Sequence, residues 1–145
     1  MFGLGRHDDD GERVRRILIV EDEPLVAFDN EHILHEAGYI VVATVDSAAD
    51  AARLIGLGGI DLVLADVGLR GPEDGIAVAR TAHAAGIAVI FVTGGCPPDA
   101  RRFAVGCLAK PYTGRDLLAA IGLVSAKLAG RRLPRRPRGF TLFED

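Results

Sequence analysis

The chain has 145 residues, a formal net charge of −3 and two cysteines. That length suits one domain with short tails, able to bury roughly two thirds of its unfolded surface without a covalent staple. Two cysteines are too few for a disulfide framework, no apolar run approaches the ~18 residues of a membrane span, and no signal peptide opens the chain. A cytoplasmic protein without membrane insertion is therefore expected.

The charge is uneven. Residues 131–145 carry a net +3 and the charges of residues 1–16 cancel, so residues 17–130 carry a net −6. An acidic centre argues against nucleic-acid binding by the domain itself. Residues 1–15, rich in glycine and charge, read as a flexible arm. Ile17-Leu18-Ile19-Val20 is a short buried strand, ended by Glu21-Asp22-Glu23-Pro24, where acids and a proline favour a helix start. That helix runs to about Ala37, with Val26, Asn30, Ile33, Leu34 and Ala37 on its mainly apolar face and Gly38 as its stop.

A β-branched strand covers Tyr39–Thr44, and Asp46 or Ser47 can cap a helix over Ala48–Leu57. Ile60-Asp61-Leu62-Val63-Leu64-Ala65-Asp66 is a mostly apolar stretch that leads to the carboxylate of Asp66, the pattern of a fully buried parallel strand. A third helix opens at Glu73-Asp74-Gly75 and stops at Gly86. Ile87–Val92 is a fourth strand, Cys96-Pro97-Pro98-Asp99 begins a weakly patterned helix, and Val105–Ala109 is a fifth strand. Thr113 caps a last helix with Leu117, Ile121, Val124 and Leu128 at helical spacing. Strands alternating with helices predict an α/β fold, a parallel doubly wound sheet with right-handed crossovers.

In such sheets ligand chemistry sits beyond the carboxyl ends of the strands. Four strands end there in polar residues: Glu21 and Asp22 after the first, Asp66 after the third, Thr93 after the fourth and Lys110 after the fifth. Three clustered carboxylates call for a cation, and hard oxygen ligands with room for water suit Mg²⁺. Asp66 then has the place of a nucleophile that forms an aspartyl phosphate. Lys110 supplies a point charge to the phosphoryl oxygens and Thr93 a hydroxyl donor.

The chain resembles the receiver domain of two-component response regulators. The motifs that carry the resemblance are Val20-Glu21-Asp22-Glu23-Pro24, Asp66-Val67-Gly68-Leu69 with Gly71 and Asp74-Gly75, Val92-Thr93-Gly94, and Lys110-Pro111-Tyr112. It implies a five-stranded flavodoxin-like sheet of order 2-1-3-4-5 over residues 16–129, flanked by an arm (1–15) and a basic, proline-containing tail (130–145). It implies Asp66 as phosphoacceptor, and Glu21, Asp22, Asp66 and the Gly68 carbonyl as the Mg²⁺ ligands. Thr93 is implied as the switch hydroxyl and Lys110 as the phosphate-sensing lysine, with a cis Lys110–Pro111 bond. Its partners would be a sensor histidine kinase or phosphotransfer protein and a downstream protein, with a homodimer face on the fifth strand and last helix. The domain would catalyse only its own phosphorylation and dephosphorylation, as a stand-alone signal, sink or shuttle.

Cys107 stands where receivers commonly carry Tyr or Phe, three positions before the lysine. Phe91-Val92-Thr93-Gly94-Gly95 and Lys110-Pro111-Tyr112 resemble the subgroup called FAT GUY, which also lacks that aromatic. The segment after the fourth strand, with Gly94, Gly95, Pro97 and Pro98, reads as mobile, ordered by phosphate or metal. Gly68 leaves the acyl phosphate without a shielding side chain. Cys96 and Cys107 are expected as free thiols, with redox sensing the alternative. His32, His35 and His83 are assigned surface or packing roles. The tail reads as solvated, or as a docking peptide anchored by Phe140, Leu142 and Phe143. Two other functions stay open: a phosphate-independent docking module, and a Mg²⁺-dependent phosphohydrolase. Gly68 argues against the latter, because it occupies the place of that enzyme class's second acid.

Overall fold

The computed structural model describes residues 13–68 and 72–143, with the backbone alone for 72–74. Six strands form one sheet: β1 (Arg16–Val20), β2 (Ile40–Val45), β3 (Leu62–Asp66), β4 (Ala88–Thr93), β5 (Gly106–Ala109) and β6 (Phe140–Leu142). Four helices join them: α1 (Pro24–Glu36), α2 (Ala48–Leu57), α3 (Pro72–Ala84) and α4 (Gly114–Leu128). The strand order is β2-β1-β3-β4-β5-β6, parallel through β5, with β6 antiparallel on the edge. This is the expected doubly wound fold with one added strand.

The continuous apolar strands explain the arrangement. β3 is buried along its whole length, and Ile17–Val20 of β1 and Val89–Thr93 of β4 are buried too. Alternate residues of these strands serve two cores. Leu18, Val20, Val63, Ala65, Val89 and Phe91 pack with Ala51, Ile55, Val78, Ala79 and Ala82 of α2 and α3. Ile17, Ile19, Leu62, Leu64, Ile90 and Val92 pack with Leu34 of α1 and with Leu117, Ile121 and Val124 of α4. A sheet covered on both faces leaves its strand ends as the place for polar function.

Several local readings differ from the structure. On α1 the buried positions are Ala27, Asn30 and Leu34, while Ala37 lies outside the helix as its exposed C-cap. The weakly patterned helix after β4 is only a 3-10 turn at Ala100–Arg102. Residues 1–12 of the expected arm lie outside the described residues, but Arg13 and Val14 are fastened: both backbone N–H groups donate to Ser125 Oγ at 3.2 Å. The Ser125 hydroxyl is buried inside α4, and the chain entering β1 satisfies it.

The tail returns to the sheet. Phe140 and Leu142 are buried, and β6 pairs Leu142 with Gly106 and Phe140 with Leu108. Gly106 makes this possible: a Cβ there would lie 2.5 Å from the Phe140 ring and 2.8 Å from the Thr141 carbonyl. Among the described residues no helix is long and apolar enough to cross a membrane.

Candidate functional site

The parallel sheet brings the ends of β1, β3, β4 and β5 to one edge, and Asp66 is the last residue of the central strand β3. Its carboxylate is buried. Oδ1 accepts the Gly68 N–H at 3.0 Å and Oδ2 faces Lys110 Nζ at 3.4 Å. Gly75 holds the floor of this turn. A Cβ there would come within 2.6 Å of Val67 Cα and 3.1 Å of the Asp66 carbonyl, so only glycine lets α3 pass this close to the strand end.

Glu21 follows β1 and is buried beside Asp66. Its Oε2 accepts the Glu23 N–H at 3.1 Å, and its Oε1 lies 4.0 Å from Lys110 Nζ. Burial pushes the Glu21 carboxyl up from 4.5 to about 7. The Asp66 charge and hydrogen bond add to that rise, while the Glu23 N–H and Lys110 oppose it. Asp22 is exposed, and one carboxylate oxygen each from Glu21, Asp22 and Asp66 lie within 4.8 Å of one another. One lysine among three carboxylates leaves excess negative charge. The all-oxygen donor set and that unbalanced charge fit a hard divalent cation such as Mg²⁺.

Lys110 is placed from two sides. Its N–H donates to the Thr93 carbonyl at 2.8 Å, continuing the β4–β5 pairing, and the Lys110–Pro111 bond is cis, as the resemblance implied. The next residue carries an interaction that the linear pattern did not reveal. Tyr112 Oη donates to Asn30 Oδ1 at 3.1 Å and so ties the lysine's loop to α1. Burial raises the Tyr112 pKa. Asn30 was visible only as a polar residue on an otherwise apolar face.

Thr93 is buried at the end of β4, but its hydroxyl is engaged locally. It donates to the Gly95 carbonyl at 3.1 Å and accepts the Gly95 N–H at 3.2 Å. The structure also corrects the reading of free thiols: Cys96 and Cys107 are joined as a disulfide. Leu69 and Gly71 of the Asp66 motif lie outside the described residues.

A family model for the response regulator receiver domain matches residues 17–122. The chain is 34% identical over 126 residues to the transcriptional regulatory protein PdtaR of Mycobacterium tuberculosis, covering 83% of this chain and 61% of that protein. This chain thus spans less than two thirds of that relative's length. Among solved structures, a CheY-like receiver domain protein from Methanospirillum hungatei is 27% identical with a TM-score of 0.70, covering 79% of this chain and 95% of that one. SdrG from Pseudomonas melonis, in a BeF3-activated conformation, is 38% identical with a TM-score of 0.61, covering 73% of this chain and 93% of its own. With its motifs at the ends of the strands and the family model matching most of its length, this chain belongs to the response regulator receiver domains of two-component systems.

Proposed function

We propose that Asp66 accepts a phosphoryl group from a histidine kinase or phosphotransfer protein, and that the modified surface changes which protein partner is bound. The observation that carries this reading is the Asp66 carboxylate at the end of the central strand, facing Lys110 Nζ at 3.4 Å with Glu21 and Asp22 beside it. An Asp66 oxygen bonds to phosphorus while the donor's bond to phosphorus breaks, and the bonding pair leaves with the donor. Lys110 meets the charge on the incoming oxygens. Glu21, Asp22, Asp66 and the Gly68 carbonyl would hold Mg²⁺, which supplies positive charge against the phosphoryl oxygens. The buried Thr93 hydroxyl would leave Gly95 to donate to the phosphoryl group. The BeF3-activated state of the similar SdrG supports a site of this kind.

An approach of the donor over α1 would account for two features of that helix. Leu25 and Phe28 of the same helix are 80% and 66% exposed, and a cavity of about 700 Å³ is lined among others by Val26, Ile33, Lys110 and Tyr112. An apolar surface next to a charged reaction centre suits a docking protein that places its phosphohistidine over Asp66.

The test is phosphorylation by acetyl phosphate, with and without Mg²⁺, followed by intact mass. Wild type is expected to gain one phosphoryl group only with Mg²⁺, and Asp66→Asn none. Equal gain by the variant would remove Asp66 from the role. The decay of the wild-type adduct separates a lasting signal from a phosphate sink.

A further inference from the structure

Cys96 lies three positions after Thr93, and Cys107 three positions before Lys110. Their Cα atoms are 6.3 Å apart, inside the range that a disulfide spans. The bridge therefore joins the loop leaving β4 to the body of β5, between Thr93, whose hydroxyl the phosphorylation reading moves, and Lys110, which that reading sets against the phosphoryl oxygens. Its two sulfurs differ in access. Cys96 is exposed, whereas Cys107 is 4% exposed and packed in the core cluster that includes Phe91, Ala100 and Ala104.

An exposed thiol with a buried partner within bridging distance is an arrangement suited to thiol–disulfide exchange. A small-molecule disulfide can reach the first sulfur, and the second lies within bridging distance to resolve the mixed product. The segment between them is fastened elsewhere as well. Phe103 meets the His83 ring edge-on at 5.8 Å and lies under the Arg80 guanidinium at 5.2 Å. With its start pinned to Cys107 and Phe103 held against α3, the path from Gly94 to Phe103 has little freedom. The Thr93–Gly95 hydrogen bonds lie at its entrance.

We propose that Cys96 and Cys107 are a reversible thiol–disulfide exchange site whose closed form holds the Thr93–Gly94–Gly95 turn and slows phosphorylation of Asp66. The second half rests on the phosphoacceptor reading above. In the closing reaction the Cys96 thiolate attacks a low-molecular-weight disulfide and one thiolate leaves, taking up the proton that Cys96 gave. The Cys107 thiolate then attacks Cys96 Sγ and releases the second thiol. Two protein thiols and one small disulfide become one protein disulfide and two small thiols. Reduction by a dithiol runs the same exchange in reverse.

The experiment uses the full chain, incubated with glutathione disulfide or with dithiothreitol, and three readouts. Iodoacetamide labelling in denaturant, after the dithiothreitol or glutathione is removed, with intact mass is expected to find two thiols after dithiothreitol and none after glutathione disulfide, with no glutathione retained. Deuterium uptake over residues 94–105 is expected to be about tenfold slower in the oxidised protein. Phosphoryl uptake from acetyl phosphate with Mg²⁺ is expected to be several-fold slower when oxidised. Cys96→Ser should carry one label in both conditions and match the reduced wild type in deuterium and phosphoryl uptake.

Two labels surviving the oxidant, a stable glutathione adduct on Cys96, or equal deuterium uptake in the two forms would each overturn the exchange site. Equal phosphorylation rates with slowed deuterium uptake would overturn its coupling to Asp66. If neither form takes phosphate, the Asp66 reading fails and takes the coupling with it. Labelling and deuterium uptake still decide the exchange site in that case.

Discussion

At the scale of single residues, the chemistry depends on carboxylates held where they repel. Glu21 ordinarily titrates near 4.5 and is pushed up to about 7, chiefly by its burial. The folded state therefore binds this proton more tightly than the unfolded chain does. In metal-free protein the stabilisation is fully present below pH 4.5 and is lost as pH rises through about 7. The loss has an upper limit of about 3 kcal/mol, at 1.36 kcal/mol per pKa unit. Urea unfolding between those pH values should show stability falling with pH in wild type, and a flatter profile in Glu21→Gln. Parallel profiles would show that the Glu21 proton is not the source of the pH dependence. The acids and Lys110 were legible in the sequence because each follows an apolar strand. The local engagement of Thr93 with Gly95, and the reach of Tyr112 to Asn30, depend on side-chain directions that residue order does not specify.

At the scale of elements, legibility followed the strength of the local signal. The last helix had a capping residue and apolar positions at helical spacing, and α4 forms as read. Thr113 Oγ1 accepts the Asp116 N–H at 3.1 Å, and Asp116 Oδ2 accepts the Thr113 N–H at 3.3 Å, a reciprocal capping box. Thr113→Ala should cost about 1 kcal/mol in chemical denaturation, with the fold intact by circular dichroism. A change within error would mean that packing of Leu117 and Ile121 alone holds the helix start. By contrast, α1 has apolar residues on more than one side. Its periodicity did not single out Ala27, and it leaves Leu25 and Phe28 exposed. The segment after β4 carries Pro97 and Pro98 and makes only a 3-10 turn, in keeping with its weak pattern.

At the scale of the whole molecule, the added strand alters the β5 edge. Pairing with β6 satisfies the backbone of β5 on that side, with the Ala109 N–H donating to the Gly139 carbonyl and the Phe143 N–H to the Val105 carbonyl, both at 2.9 Å. A homodimer on this side would therefore meet β6 and α4 before it met β5. A chain ending after Arg138 leaves the β5 edge unpaired and uncovers apolar surface beneath Phe140 and Leu142. It should lose about 2–4 kcal/mol of stability and self-associate in sedimentation velocity. A monomeric truncation of unchanged stability would show that β6 neither protects the edge nor contributes to the core.

The sequence by itself determined the alternating strands and helices, the parallel sheet covered on both faces and the polar residues at the strand ends; the strand order came from the family resemblance. The first three follow from local patterns: apolar runs too short for helices, caps, and the rule that parallel strands place their ends together. Tertiary structure alone decided three things. It seated the Arg- and Pro-rich tail as a strand, because Gly106 leaves room for the Phe140 ring. It joined Cys96 to Cys107, because the loop after β4 turns back over β5. It fastened Arg13 and Val14 to Ser125, more than a hundred residues away in the chain. In each case the partner is set by the packing of distant segments, which composition and periodicity do not encode.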